Sequence, residues 1–151
     1  MTQMASAQLP ERMLVEADLF ISYLTADNLE KHFRVLVEKA QTQNLELLCS
    51  SEVYDDITSS MLTEGVSARE CSKFLSDMKV IPHKSLPVTP EISSSALKIY
   101  SEFGGRRRLH YFDSFHVCTA VANNLPLYTS DKYVINNSKR LGVTTVDVRT
   151  L

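Results

Sequence analysis

The sequence predicts an α/β fold, a three-layer α/β/α sandwich with a central parallel sheet of four or five strands. Apolar strand-like segments alternate with helical patterns along the chain, which is typical of parallel sheets. Several of these segments, such as "LELLCSS" over residues 45–51, are apolar on both faces, as expected when helices cover both sides of a sheet. The length of 151 residues and the 44% hydrophobic composition suit one globular domain.

The predicted elements follow one another in order. The strands or extended segments cover residues 12–17, 45–51, 79–89, 125–131 and 143–148. The helices cover residues 27–44, 51–62, 67–78, 90–103, 111–123 and 132–142. Pairs of residues mark three of the helix starts, two as capping boxes and one as a cap followed by proline: Asp27 with Glu30, Ser67 with Glu70, and Thr89 with Pro90. Glycines are expected to end two helices, near Gly65 and at Gly104.

The ends and the bulk properties of the chain limit its function. Residues 1–11 are predicted to be a loose polar leader without a signal-peptide core, and residues 12–151 a single domain. No apolar run is long enough to cross a bilayer, so a cytoplasmic protein is expected. The cysteines lack metal-site spacing and are expected to be buried apolar residues. With a net charge of −2, nucleic acid could bind only through a local basic patch.

Acidic residues fall where strands end and helices begin. Asp18 directly follows one predicted strand and Asp131 ends another, Glu52 and Asp56 lie in the first turns of a helix, and Asp113 opens another helix. The carboxyl ends of parallel strands gather along one edge, so these acids are expected to share a pocket. Any single one of them is better explained as a helix cap or a surface group than as a ligand, and it is their joint placement that favours a shared pocket. Together they would repel each other without a cation, and oxygen ligands suit Mg²⁺ or Mn²⁺ and phosphodiester hydrolysis.

This arrangement resembles the PIN domain, the fold of many small metal-dependent ribonucleases that include the VapC-type toxins. The resemblance covers nearly all of residues 12–148 and rests on four strings, "VEADLFISYL", "SEVYDDI", "FDSFHVCTA" and "LYTSD". It implies an endoribonuclease that uses Mg²⁺ or Mn²⁺ and a metal-activated water to hydrolyse RNA, leaving 5′-phosphate products. It further implies an antitoxin protein as a partner, if the chain is a toxin, and a homodimer.

The resemblance assigns the acidic-pocket roles to Asp18, Asp113 and Asp131, as catalytic and metal-binding residues. The second acid stays open: Asp56 precedes an apolar residue as the family's acid usually does, whereas Glu52 has the expected side-chain type. Asp56 is favoured.

Departures from the family pattern and the open choice between Asp56 and Glu52 motivate an alternative, a catalytically weak PIN-like module that binds RNA or protein. Phe20 stands where the family often has a small polar residue, and Glu16 is unusual in a buried strand. A phospho-acceptor receiver domain is a third class, disfavoured because "VEAD" offers no adjacent acidic pair.

Several other residues are candidates for supporting roles. Ser130 could orient Asp131 or a water molecule, or cap a helix, and His116 is better explained as a satisfied core histidine than as a pocket donor. Lys132 and the run Arg106, Arg107 and Arg108 are candidate contacts for an RNA backbone. Exposed surface charge explains the arginine run equally well, and a solvated side chain is the better explanation for Lys132.

Overall fold

The computed structural model describes residues 9–151, which form a five-stranded sheet with all strands parallel, in the order β3-β2-β1-β4-β5. The strands are β1 (Arg12–Val15), β2 (Glu46–Ser50), β3 (Lys84–Leu86), β4 (Leu127–Thr129) and β5 (Thr145–Asp147). This confirms the predicted parallel α/β class, with five strands rather than four. Most of the predicted leader, residues 1–8, lies outside the described residues, and Leu9 packs against the core.

Helices cover both faces of the sheet. They are α1 (Ala17–Thr25), α2 (Glu30–Gln41), α3 (Val53–Thr63), α4 (Ala68–Asp77), α5 (Pro90–Phe103), α6 (Tyr111–Ala122), α7 (Lys132–Asn136) and α8 (Ser138–Leu141). Alternate residues of β1 divide the core: Met13 and Val15 pack towards α1, α2 and α3, whereas Leu14 packs towards α5, α6 and α8. Within residues 9–151, no helix combines the length and apolar character needed to cross a bilayer.

Local capping explains where several helices begin. Ser67 accepts a hydrogen bond from the Glu70 amide and Glu70 reaches back to Ser67, which confirms this predicted capping box. Thr89 caps α5 and Pro90 is its first residue, also as predicted. The free cysteines Cys49, Cys71 and Cys118 are buried, in agreement with the sequence.

The predicted capping box of Asp27 and Glu30 is wrong. The Asp27 carboxylate accepts hydrogen bonds from Ser22 and from the Leu29 amide, which stabilises the turn between α1 and α2. Glu30 forms an ion pair with Arg34 one turn later in the same helix. Leu29, without a side-chain cap, occupies the N-cap position of α2.

The first strand is shorter than predicted, and it is followed by a helix, α1, that was not predicted. β1 ends at Val15, Glu16 is the N-cap residue of α1, and Asp18 lies in the first turn of that helix. Asp18 therefore does not end the strand. The physical reason is that Leu19 and Phe20 are buried on the face of α1 that packs on the sheet, a helical pattern that overrides the apparent extension of the strand.

Candidate metal centre

The candidate centre lies at the carboxyl edge of the sheet, around β1 and its neighbours β2 and β4. Strands β2 and β3 lie on one side of β1, and strands β4 and β5 lie on its other side. The strand order therefore reverses at β1. The N-terminal ends of α1, α3, α6 and α7 meet here. Each end brings at least one carboxylate, which the dipole at a helix N-terminus favours.

Asp113 is shared by two groups of possible metal ligands. One group is Asp56, Asp113 and His116, and the other is His110, Asp113 and Asp131. In each group, one ligand atom from every member lies within 4.8 Å of the others. Three acids that are far apart in sequence, Asp56, Asp113 and Asp131, are thus brought together as the sequence analysis expected.

The Asp113 carboxyl is poorly compensated. Its side chain is 14% exposed, and Oδ2 has no hydrogen-bond donor among the described residues. His110 Nδ1 lies 3.3 Å from this oxygen without the alignment of a hydrogen bond. Burial, followed by the charges of Asp131 and Asp56, raises the pKa of Asp113 to about 8. At neutral pH, this site therefore needs a proton or a cation.

Asp56 is held from behind by a buried histidine. His116 is fully buried, and its Nε2 lies 2.8 Å from Asp56 Oδ2 while its Nδ1 lies 2.8 Å from Ser50 Oγ. Because an ionised carboxylate only accepts hydrogen bonds, Nε2 donates to Asp56. Ser50 Oγ accepts from the Glu52 amide, so its own hydrogen is free for Nδ1. His116 is thus a satisfied core histidine, as favoured from the sequence, and it also orients a pocket acid.

Asp18 is the best satisfied acid of the centre. Its Oδ2 accepts hydrogen bonds from the Ser130 amide at 2.8 Å and the Ser130 hydroxyl at 2.6 Å, and its Oδ1 accepts from the Leu19 amide. Burial raises its pKa, and these three donors oppose that rise. The expectation that Ser130 orients Asp131 is therefore wrong, because the hydroxyl points to Asp18. Arg149 donates to the Ser130 carbonyl, a contact that no local sequence pattern indicates.

Glu16 is a fifth carboxylate in this region. It is buried, with 4% of its surface exposed, and its Oε2 accepts a hydrogen bond from Thr129. The Thr129 oxygen in turn accepts from the Asp131 amide at 3.0 Å, so one hydroxyl links the acids that follow β1 and β4. Asp131 itself caps α7 through Oδ1. Burial, then the charges of Asp113 and Asp18, raises the pKa of Glu16 well above its ordinary value.

Asp18 lies outside the two groups of possible metal ligands, and so do the remaining predicted site residues. Glu52 occupies the N-cap position of α3, where its amide donates to Ser50, and its carboxylate belongs to neither group. Lys132 is exposed at the start of α7. The three arginines Arg106, Arg107 and Arg108 are exposed on the connection between α5 and α6, which leads directly to His110 and Asp113.

The donor set fits a hard divalent cation. Carboxylate oxygens are the ligands that Mg²⁺ and Mn²⁺ prefer, and this centre concentrates five carboxyl groups at one sheet edge. Among the described residues, two buried side-chain oxygens lack a hydrogen-bond partner, Glu16 Oε1 and Asp113 Oδ2. Both belong to this cluster. A cation bound among these side chains would satisfy such oxygens and offset the repulsion between the acids.

Comparisons with known proteins identify the fold. No family profile matches the sequence, and no curated protein matches it. Solved structures do match over nearly their whole length. VapBC2 from Rickettsia felis, bound to a DNA fragment from its promoter, aligns with a TM-score of 0.62 and 13% identity, covering 89% of this chain and 97% of that chain.

Two further complexes give the same result. A toxin–antitoxin complex from Klebsiella pneumoniae has a TM-score of 0.58 and 12% identity, covering 90% of this chain and 97% of that one. VapBC-5, a member of the VapBC family of toxin–antitoxin systems from Mycobacterium tuberculosis, has a TM-score of 0.57 and 13% identity, covering 91% and 98%. At such identity the similarity concerns the fold, and the predicted PIN-like three-layer fold is confirmed.

Proposed function

We propose that this chain is a Mg²⁺- or Mn²⁺-dependent endoribonuclease that hydrolyses RNA phosphodiester bonds. The observation that carries the proposal is the meeting of Asp56, Asp113 and Asp131 at one sheet edge, in a fold shared with chains of toxin–antitoxin complexes. The Asp113 oxygen without a donor supports a cation at this place rather than a set of unrelated helix caps.

The metal-binding residues in this proposal are Asp18, Asp56, Asp113 and Asp131. When bound, a divalent cation would lower the pKa of water and stabilise negative charge on a phosphoryl oxygen. The protein fixes the ligands in advance: His116 holds one oxygen of Asp56, and Ser130 holds one oxygen of Asp18. Such supporting hydrogen bonds limit the reorganisation of the carboxylates when the cation binds.

RNA would approach over the connection between α5 and α6. Arg106, Arg107 and Arg108 are exposed there, a few residues before Asp113, and Lys132 is exposed next to Asp131. Contacts of this kind neutralise backbone phosphates without reading sequence, so the affinity should fall as salt rises. The surface carries these cations locally although the net charge of the whole chain is −2.

The similarity to solved complexes supports a protein partner. Since those structures are toxin–antitoxin complexes, we propose that an antitoxin protein binds this chain and that the chain is the toxin of such a pair. A homodimer and a cytoplasmic location, where RNA substrates are found, complete the proposal. Sedimentation of the purified chain, alone and with the product of a neighbouring small gene, tests both assemblies.

The test of activity is cleavage of a labelled RNA with Mn²⁺, by wild type and by Asp113→Asn. Loss of a central ligand should lower the rate by about 100-fold or more, and chelator should abolish cleavage by the wild type. The matched control is Asp55→Asn, the same change at an exposed position beside Asp56, which should cleave like wild type. Equal rates for wild type and Asp113→Asn would overturn the proposal and favour the alternative of a catalytically weak binding module.

A further inference from the structure

His110 occupies the N-cap position of α6, directly before the helix turn that contains Asp113. The residues usually found at such a position are Ser, Thr, Asp and Asn, whose side-chain oxygen accepts a hydrogen bond from a helix amide. The His110 ring does not cap the helix in this way. Its side chain is 70% exposed, yet its Nδ1 lies 3.3 Å from Asp113 Oδ2. The carboxylate ligands proposed above leave this ring without a role.

The contact between His110 and Asp113 is not a hydrogen bond. Asp113 Oδ2 is buried and has no hydrogen-bond partner among the described residues, although the ring nitrogen is only 3.3 Å away. A ring held there by an ion pair would direct its N–H at that oxygen, because a charge-assisted hydrogen bond is short and well aligned. Two ligand atoms of one cation also lie close together, but neither is directed at the other. The observed contact is of this second kind.

Asp131 completes this group of possible ligands. One ligand atom from each of His110, Asp113 and Asp131 lies within 4.8 Å of the other two. In an octahedral site with bonds of about 2.1 Å, adjacent ligand atoms are about 3.0 Å apart and opposite ones about 4.2 Å apart. The 3.3 Å between His110 Nδ1 and Asp113 Oδ2 is close to the first of these values. Small movements of the side chains would therefore bring all three onto one ion.

An imidazole nitrogen among the ligands changes which cation a site prefers. Mg²⁺ selects oxygen ligands and dehydrates reluctantly, whereas divalent first-row transition metals also bind imidazole, Mn²⁺ being the weakest of that series. We propose that His110 is a nitrogen ligand of the metal centre and makes the centre bind Mn²⁺ more tightly than Mg²⁺. The inference rests on the proposed function for the presence of a divalent cation, and it decides between the two ions named there.

His116, the histidine of the other group, does not fit this role. Its Nε2 is engaged by Asp56 and its Nδ1 by Ser50, each at 2.8 Å, and the ring is fully buried. A cation could reach a His116 nitrogen only by replacing one of these hydrogen bonds. His110 has no such obstacle, because its ring is exposed at the edge of the centre.

The test is calorimetric binding of Mn²⁺ and of Mg²⁺, each alone, to the full chain and to two variants. His110→Ala removes an exposed ring, so the fold should be retained. This change should weaken Mn²⁺ binding by about 10-fold and Mg²⁺ binding by less than about 3-fold. His32→Ala, the same change on α2 at a histidine in neither group, should bind both ions like wild type. An unchanged Mn²⁺ affinity in His110→Ala, or an equal loss for both ions, would overturn the proposal.

Pulsed electron paramagnetic resonance at saturating Mn²⁺ detects the ligand itself, because a coordinated imidazole nitrogen modulates the electron spin echo. Nitrogen modulation should be present in the wild type and absent in His110→Ala. Its absence from the wild type, or its persistence in His110→Ala, would overturn the proposal. Neither measurement uses RNA. Metal selectivity without RNA cleavage would therefore refute the proposed function alone, whereas Mn²⁺-dependent cleavage with unchanged Mn²⁺ affinity in His110→Ala would refute this inference alone.

Discussion

Replacement of Asp113 by a side chain that cannot ionise should stabilise the metal-free protein, and the gain should grow between pH 5 and pH 7. In the folded state, burial and the nearby Asp131 and Asp56 raise the pKa of Asp113 to about 8, from the ordinary value of 3.8. Between pH 5 and pH 7, the unfolded chain has therefore lost this proton while the folded chain retains it. Since the folded state binds more protons, its free energy of unfolding falls as pH rises.

The size of the effect follows from the titration range. Between pH 5 and pH 7, each pH unit lowers the free energy of unfolding of the wild type by about 1.36 kcal/mol. The total loss over these two units is about 2.7 kcal/mol. Asp113→Asn cannot titrate and lacks this loss. Its stability relative to the wild type should therefore rise by about that amount. Saturating Mn²⁺ should reverse the order, because the cation binds the ionised carboxylate of the wild type.

The assay is urea unfolding at pH 5, 6 and 7 in the presence of chelator, followed by circular dichroism. The exposed control Asp55→Asn should stay at a nearly constant offset from wild type at each pH. If the difference between Asp113→Asn and the wild type changes by less than about 0.5 kcal/mol between pH 5 and pH 7, the surrounding acids do not hold a proton on Asp113. The electrostatic description of the centre would then be wrong.

Three further changes test separate parts of the structure. His116→Ala removes a fully buried ring and the hydrogen-bond donor to Asp56. The free energy of unfolding in urea should therefore fall by about 2–4 kcal/mol, and calorimetry should show a weaker affinity for Mn²⁺. Unchanged values would show that His116 does not orient Asp56. Ser67→Ala removes the N-cap of α4 and should lower the free energy of unfolding by about 1 kcal/mol, with the affinity for Mn²⁺ unaltered. An altered affinity would contradict the separation of α4 from the site. The double change of Arg106 and Arg107 to Gln should reduce the salt dependence of RNA binding by about 0.7 in slope for each charge, and an unchanged slope would place the RNA elsewhere.

The features predicted best from the sequence are those set by neighbouring residues. Ser67 and Glu70 are three positions apart, and Thr89 directly precedes Pro90, so the capping interaction or the proline start can be recognised in the string itself. The meeting of distant acids was predicted by a rule of topology, because the carboxyl ends of parallel strands must share an edge. Asp113 could be placed in that way without knowledge of any single contact.

The roles missed from the sequence depend on contacts between distant parts of the chain. Glu16 and Thr129 are 113 positions apart, and His116 and Ser50 are 66 apart, so no local pattern reveals either hydrogen bond. The error in the first strand had a local cause: apolar residues continue from β1 into α1, and periodicity over so few residues does not separate a strand from a helix. An acid inside that apolar run was the available sign that residue 16 was special.

The centre draws its side chains from segments that begin at residue 16 and end at residue 131. A ribosome making this chain therefore adds the last carboxylate of the centre 115 residues after the first, at 131 against 16. Shorter nascent chains, and fragments cut anywhere between the two residues, lack a complete set of acids. If the proposed nuclease activity depends on this centre, a nascent chain that has not reached residue 131 cannot cleave the messenger being translated.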